Sequence, residues 1–348
     1  MINLALKSDK VNQKDPIDSL VLSFERHKNR ALGATNYAQA VAKASKLQII
    51  SKRSYENLKE CGSELFFDVY KNREGEFKRH LSGANFCRNK FCPMCMWRKS
   101  RKVALENYSI LSKLAATGDY NFLFLTITVP NCLLSDLRRT VRKLSLSFTN
   151  FIRRKKLKSA FFGYIKGLEI FGDHTPEGFA HPHYHILLVV KKSYFSKSSG
   201  LYITHERIKS LWQEYYPEST MVRIQAVKSK SCFGGRGLLK AVLETSKYAL
   251  KEEHLSKRSV NDLVILIQQT KGIRLYDRGG VLRTIKPEPL DDFSNTDSLE
   301  YITSEFYRFS YDKSSYVLVE HYYDSEQAIK FSSGAPPPSR CQPRGLTL

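Results

Sequence analysis

His181-Pro-His183-Tyr-His185-Ile-Leu-Leu-Val-Val190 sets imidazoles two residues apart at the head of an unbroken apolar run. The run from 186 to 190 reads as a strand buried in a sheet. Side chains at i and i+2 of a strand share a face, so His183 and His185 project together. Lone histidines are ordinarily structural; a side-by-side pair is poor core material and suits a divalent cation. His181 precedes Pro182, where the chain direction is less fixed, and stays outside the pair. Glu169, near the end of Phe161-Phe-Gly-Tyr-Ile-Lys-Gly-Leu-Glu-Ile-Phe171, faces the pair if these two strands form a hairpin. That placement depends on register, since a slip of one residue turns Glu169 to the opposite face. Two imidazoles and a carboxylate with open positions suit Mg2+ or Mn2+ acting on phosphate.

Working outward, Asn121-Phe-Leu-Phe-Leu-Thr-Ile-Thr-Val-Pro130 is a further strand, and Leu137, Val141, Leu144, Phe148 and Ile152 mark an amphipathic helix over roughly 134–156. Residues 204–216 read as a helix, 220–228 as a fourth strand and 238–255 as another helix. The order β-α-β-β-α-β-α predicts an α+β fold, a ferredoxin-like split βαβ core with an antiparallel sheet. Five segments follow: an N-terminal basic extension (1–56), a zinc-binding hairpin and knuckle (57–104), the core domain (105–258), a mixed C-terminal accessory region (259–331) and a tail disordered by composition (332–348). In the accessory region, Val260 to Gln269 is helix-like, Tyr276-Asp-Arg-Gly-Gly280 reads as a tight turn, and Phe306-Tyr-Arg-Phe-Ser-Tyr311 is aromatic-rich.

Glu64-Leu-Phe-Phe-Asp-Val-Tyr-Lys71, the turn Asn72-Arg-Glu-Gly75 and a return strand form a hairpin leading into Cys87-x4-Cys92-Pro-Met-Cys95. That spacing suits tetrahedral zinc, with thiolates at about 2.3 Å. A redox Cys-x2-Cys or plain buried cysteines are the alternatives. Cys61 and His80 compete for the fourth position. If the hairpin turns near residue 74, Cys61 and Cys87 meet at its open end while His80 lies partway up a strand, which favours Cys61. Arg98, Lys99, Arg101 and Lys102 follow directly as a phosphate-facing segment.

Glu244 and Tyr248 stand at i and i+4 of the expected helix 238–255, hence on one face. A tyrosine oxygen becomes a usable nucleophile when its proton is drawn away or the phosphate is polarised, and a carboxylate can serve as base for it or for water. Taken alone, a half-buried helix aromatic and a solvated charge is the more ordinary reading; the histidine strand alters the balance.

The chain has 348 residues, 56 Lys and Arg against 34 Asp and Glu, and a net charge of +22. The excess points to a polyanionic partner without naming an activity. Arg153, Arg154, Lys155 and Lys156 at the exit of helix 134–156 have the sign for phosphate and predict salt-dependent binding. No apolar run approaches the roughly 18 residues a membrane span needs, and Lys7 interrupts the N-terminus too early for a signal-peptide core. A cytoplasmic protein is expected, its seven Cys serving as thiols or metal ligands.

Four motifs in order, namely Cys87-x4-Cys92-Pro-x-Cys95-x-Trp-Arg-Lys, Phe124-Leu-Thr-Ile-Thr-Val-Pro-Asn131, His183-Tyr-His185 and Glu244-x3-Tyr248-x2-Lys251, resemble the rolling-circle plasmid replication initiators (Rep proteins) of the HUH endonuclease superfamily. The resemblance covers roughly residues 57–285 and has a cysteine at the position of Cys61. It implies a metal-dependent nickase and strand transferase. Tyr248 would attack single-stranded, hairpin origin DNA, leaving a 5′-phosphotyrosine and a free 3′-OH. His183, His185 and Glu169 would hold Mn2+ or Mg2+, and Glu244 would activate water to end the cycle. Lys251 would contact DNA, and structural zinc would sit in the cysteine knuckle. A host helicase and DNA polymerase are implied as partners; no nucleotide-binding Gly-x4-Gly-Lys-Ser/Thr pattern occurs. The rival readings are an HUH relaxase or transposase, and a zinc-containing DNA-binding regulator without catalysis.

Overall fold

The computed structural model describes residues 16–219, 221–227, 235–288 and 299–322. The tail expected over 332–348 and both ends of the strand expected over 220–228 lie outside them. In chain order come α1 (Pro16–Gly33), α2 (Thr35–Lys46), α3 (Lys52–Lys59), β1 (Glu64–Lys71), β2 (Phe77–Ala84) and α4 (Pro93–Ala116). Next are β3 (Tyr120–Thr128), β4 (Cys132–Leu133), α5 (Leu137–Arg153), α6 (Lys155–Ala160), β5 (Phe161–Glu169), β6 (Phe179–Ala180) and β7 (His183–Lys191). The remainder is α7 (His205–Gln213), β8 (Val222–Ala226), α8 (Gly235–Ser246), α9 (Glu252–Lys257), α10 (Val260–Thr270), β9 (Tyr276–Gly280), β10 (Glu300–Ser310) and β11 (Ser315–Tyr322). Among the described residues no helix is long and apolar enough to cross a membrane.

The chain divides into two compact units. The larger, residues 34–56 and 89–291, is built on a five-stranded sheet of order β8-β3-β7-β5-β9 with every pairing antiparallel. Counting β3, β5, β7 and β8 as strands one to four, the order is 4-1-3-2, the split βαβ arrangement, with β9 added at the β5 edge. Ile186 to Val190 of the central β7 are each 0% exposed, which is why that run needs no polar alternation. Burial of each side chain contributes about 2 kcal/mol.

Residue parity on β5 and β7 sorts the two faces of the sheet. Tyr164 and Tyr184 meet Phe148 of α5 edge-on, at ring separations of 5.0 and 6.0 Å. Ile165, Leu187 and Val189 pack instead with Leu111 of α4 and Leu238 and Val242 of α8. Glu169, His183 and His185 continue this second, odd-numbered row, so they lie on the α4–α8 face at the end of the sheet.

Residues 276–280 form an edge strand paired with β5, in place of the expected tight turn. The glycines serve close approach here: a Cβ on Gly279 would lie 2.1 Å from the Tyr164 ring, and one on Gly280 2.2 Å from the Phe162 carbonyl oxygen.

The helix expected over 238–255 also differs, because α8 stops at Ser246 and α9 starts at Glu252. Carbonyls that a continuing helix would bond internally have partners from other elements. Ser246 O accepts from Ser100 Oγ, Lys247 O from Tyr276 Oη at 2.9 Å, and Ala249 O from Ile170 N at 3.0 Å. These bonds hold 247–250 out of the helix, so Glu244 and Tyr248 do not share a helix face.

The smaller unit, residues up to 33, 57–88 and from 292, is an antiparallel sheet of order β11-β10-β1-β2 with α1 against it. Asn72 Oδ1 accepts from the N–H groups of Glu74 and Glu76, and Gly75 takes φ +84°, so Lys71 pairs with Phe77 and the hairpin centres on residue 74. Three successive carbonyls tie in distant segments. Cys61 O accepts from Lys28 Nζ at 2.9 Å, Gly62 O from Tyr316 Oη, and Ser63 O from Phe309 N at 2.8 Å.

Candidate active site

Register decides the site. β5 and β7 pair with Glu169 opposite His183 and Gly167 opposite His185. His183 Nε2 lies 3.2 Å and His185 Nε2 3.0 Å from the same oxygen, Glu169 Oε2. His183 Nδ1 donates to His181 O at 2.8 Å, since a carbonyl only accepts, and this bond leaves Nε2 as the ring atom turned to Glu169. His185 has Thr126 Oγ1 at 3.4 Å from Nδ1 and stacks on Phe124 at 5.8 Å. The three ligand atoms lie within 4.8 Å of one another. Lone pairs of two imidazoles and a carboxylate turned inward fit a divalent cation, which they would hold while Thr126 and the His181 carbonyl orient the rings. His181 itself turns aside, with Nδ1 2.8 Å from Asn131 Oδ1.

A lysine not singled out from the sequence completes the cluster. Lys247 Nζ lies 2.8 Å from Glu169 Oε2 and 2.6 Å from Glu244 Oε1, and Glu244 Oε1 is 3.8 Å from His185 Nε2. Burial raises the Glu169 carboxyl, but hydrogen bonds from His183, His185 and Lys247 outweigh it and hold the group well below the usual carboxylate range. The same two carboxylates raise the Lys247 ammonium against its own burial. Gly167 makes this approach possible, because a Cβ there would lie 2.2 Å from Thr245 O, so the last turn of α8 rests directly on β5. The sequence carried a signal for Lys247 in the spacing Glu244-x2-Lys247, which by itself describes an ordinary helix-surface ion pair.

Tyr248 follows directly and is half-buried. Burial first, and then the Tyr248 phenol, raise the Tyr276 hydroxyl above its ordinary range. Lys251 pairs with Asp173. Of the basic residues singled out from the sequence, Arg98, Lys99, Arg101, Lys102, Arg153, Lys155 and Lys156 are exposed, and Arg154 is half-exposed and paired with Glu214.

Of the four cysteines, Cys61 and Cys87 lie in the smaller unit and Cys92 and Cys95 in the larger; Cys61, Cys87 and Cys92 are buried and Cys95 half-buried. Cys87 N donates to Cys61 Sγ at 3.4 Å, while Cys92 stands at the N-cap position of α4 and Cys95 in its first turn. His80 pairs with Asp68, along the hairpin from its open end.

A family model described as a replication protein matches residues 78–326. The chain belongs to this replication-protein family. The match takes in the Glu169–His183–His185 cluster, Glu244, Tyr248 and three of the four cysteines, leaving Cys61 upstream. Protein rep of Streptococcus pneumoniae serotype 2 is 36% identical over 217 residues, 60% of this chain and 64% of that protein, so the chain spans just under two thirds of that relative. Protein rep of Bacillus amyloliquefaciens is 31% identical over 283 residues, 75% of this chain and 80% of that protein. Protein rep of Lactiplantibacillus plantarum is 32% identical over 276 residues, with coverages of 76% and 84%. No solved structure gives a match.

Proposed function

We propose that this chain initiates plasmid rolling-circle replication in the cytoplasm by nicking single-stranded, hairpin origin DNA with Tyr248. The observation that carries the reading is the convergence of His183 Nε2 and His185 Nε2 on Glu169 Oε2, with Lys247 and Glu244 on the same oxygen cluster and Tyr248 next in the chain. Family membership supports it. His183, His185 and Glu169 would hold Mn2+ or Mg2+, which supplies polarisation of the scissile phosphate.

Tyr248 Oη forms the new bond to phosphorus as the bond to the 3′ oxygen breaks. Tyr248 gives up its phenol proton and the leaving 3′ oxygen takes one up, so the products are a 5′-phosphotyrosine and a free 3′-OH. Transesterification conserves the bond energy, so no nucleoside triphosphate is consumed. Lys247 offsets the charge of Glu169 and Glu244 beside the reacting phosphate. Glu244, held by Lys247 and facing His185, would take a proton from water and end the cycle by hydrolysis; strand transfer is the alternative ending. The cysteine quartet would hold structural Zn2+. Arg98, Lys99, Arg101, Lys102, Arg153, Arg154, Lys155, Lys156 and Lys251 would contact phosphates. A host helicase opens the duplex and a polymerase extends the 3′-OH.

The test is incubation with origin oligonucleotides, with and without Mn2+, beside Tyr248→Phe. The expected result is a metal-dependent covalent adduct that the variant lacks. Cleavage by the variant without adduct would make the site hydrolytic. Specific duplex binding without any cleavage would make the protein a regulator.

A further inference from the structure

The loop after β7 carries a feature that nicking does not use. Lys191-Lys-Ser-Tyr-Phe-Ser-Lys-Ser-Ser-Gly-Leu-Tyr202 contains three lysines, four serines and no acid. Tyr194 is buried at 1% exposure, and its hydroxyl both donates to Ile203 O and accepts from Ile203 N, each at 3.3 Å. It forms a floor under two exposed rings, Phe195 at 5.0 Å and Tyr202 at 5.6 Å, which stand 6.3 Å apart. Phe195 is 47% and Tyr202 53% exposed.

The platform is pre-formed. Ser199 Oγ donates to Ser196 O, Leu201 N donates to Ser199 Oγ, Gly200 turns the chain at φ +64°, and Lys192 N is tied to Asp119 O at 2.7 Å. Lys191 Nζ lies 5.0 Å over the Phe162 ring, and Lys192 and Lys197 are exposed. The acids at the margin are Asp119, exposed, and Glu206, which pairs with His205 at 3.6 Å.

We infer that this loop is a second binding surface for single-stranded DNA, in which unpaired bases stack on Phe195 and Tyr202 while Lys191, Lys192 and Lys197 meet the backbone. Aromatic faces among cations suit a strand whose bases are unstacked; a duplex offers only its phosphates to such a surface. Lys191 stands eight residues beyond His183 on β7, about 26 Å along the strand at ~3.3 Å per residue. The surface therefore grips DNA at a distance from the reacting phosphate. The inference rests on the nicking reading for the identity of the strand, and on its own geometry for the grip.

Fluorescence anisotropy with a labelled single-stranded oligonucleotide and the matching duplex, without divalent cation, tests it. Phe195→Ser/Tyr202→Ser should weaken single-strand binding at least about tenfold and leave duplex binding nearly unchanged, as the loss of one or two stacked bases requires. Lys191→Gln/Lys192→Gln/Lys197→Gln should flatten the single-strand salt slope by about 2, given ~0.7 per phosphate. Both variants should retain the Tyr248 adduct on a short oligonucleotide trimmed around the nick. Phe195 and Tyr202 are half-exposed but rest on the buried Tyr194, so thermal melts check that both variants fold. Unchanged single-strand affinity in both variants overturns the inference, as does an equal loss on the duplex. Normal DNA binding with failed plasmid replication would mark the loop as a protein-docking face and overturn it too. If wild type forms no adduct while the variants still lose single-strand affinity, the nicking reading fails and the grip stands.

Discussion

Glu169 Oε2 receives His183 at 3.2 Å, His185 at 3.0 Å and Lys247 at 2.8 Å, three nitrogens on one oxygen. Replacing the carboxylate by an amide keeps the shape and removes the charge. Glu169→Gln should therefore weaken Mn2+ binding at least about tenfold, read by paramagnetic resonance of the free ion. Lys247 touches the same oxygen as a cation and offers no lone pair. Lys247→Gln should leave Mn2+ binding within a few-fold of wild type yet cut adduct formation about a hundredfold. Equal loss of both would mean that Lys247 merely holds Glu169 in place. The two histidines and Glu169 were legible because strand parity is encoded locally and the β5–β7 register follows from a hairpin. Lys247 was not, because its role depends on where α8 ends.

At the scale of elements, α8 meets β5 at Gly167, where any side chain would strike the Thr245 carbonyl. Gly167→Ala must displace the turn that carries Glu244 and Lys247. A cost of about 3 kcal/mol lowers the melting transition by about 6–12 °C in a unit of this size. Gly33→Ala, with nothing within 4 Å of its Cβ, should be near neutral in the same calorimetric measurement. The sequence reading ran this helix on to residue 255 because helical propensity continues past Ser246; the competing donors Ser100, Tyr276 and Ile170 come from elsewhere in the chain. Likewise Gly279-Gly280 looked like turn chemistry, although there the glycines admit Tyr164 and Phe162. α1 carries its own pH signal. Burial first, then Arg30 and Arg26, push His27 down to about 3 from an ordinary 6.5. The folded form thus holds His27 neutral while the unfolded chain binds a proton below pH 6.5, so stability falls as pH drops from 6.5 towards 3, by up to about 1.4 kcal/mol per unit. His27→Gln should flatten that part of a denaturation-versus-pH curve; an unchanged slope would assign the acid sensitivity elsewhere.

For the whole molecule, the smaller unit closes a loop of chain no local pattern announces. β1 pairs with β10 from Glu64↔Arg308 to Lys71↔Glu300, and Phe66 stacks on Phe306 at 4.6 Å. Arg79 of β2 forms a bidentate pair, 2.7 Å each, with Glu305 of β10, nearly buried on both sides. The aromatic segment 306–311 was visible in the sequence, but its partner lies more than two hundred residues away, and strand pairing at that separation is set by packing alone. The larger unit has no strand from this region. A chain ending at Glu288 should therefore separate the two. β1 would keep a single neighbour, and Phe66 and Phe67 would lose Phe306 and Tyr307. Hydrogen exchange should show the β1 and β2 amides exchanging at least about a hundredfold faster, because a two-stranded hairpin alone is marginal in water. The β3, β5 and β7 amides should keep their protection, and Mn2+ should bind as it does to the full chain. Loss of protection in β7 on truncation would show that the cation site depends on the second sheet, and would return the two units to a single folding body.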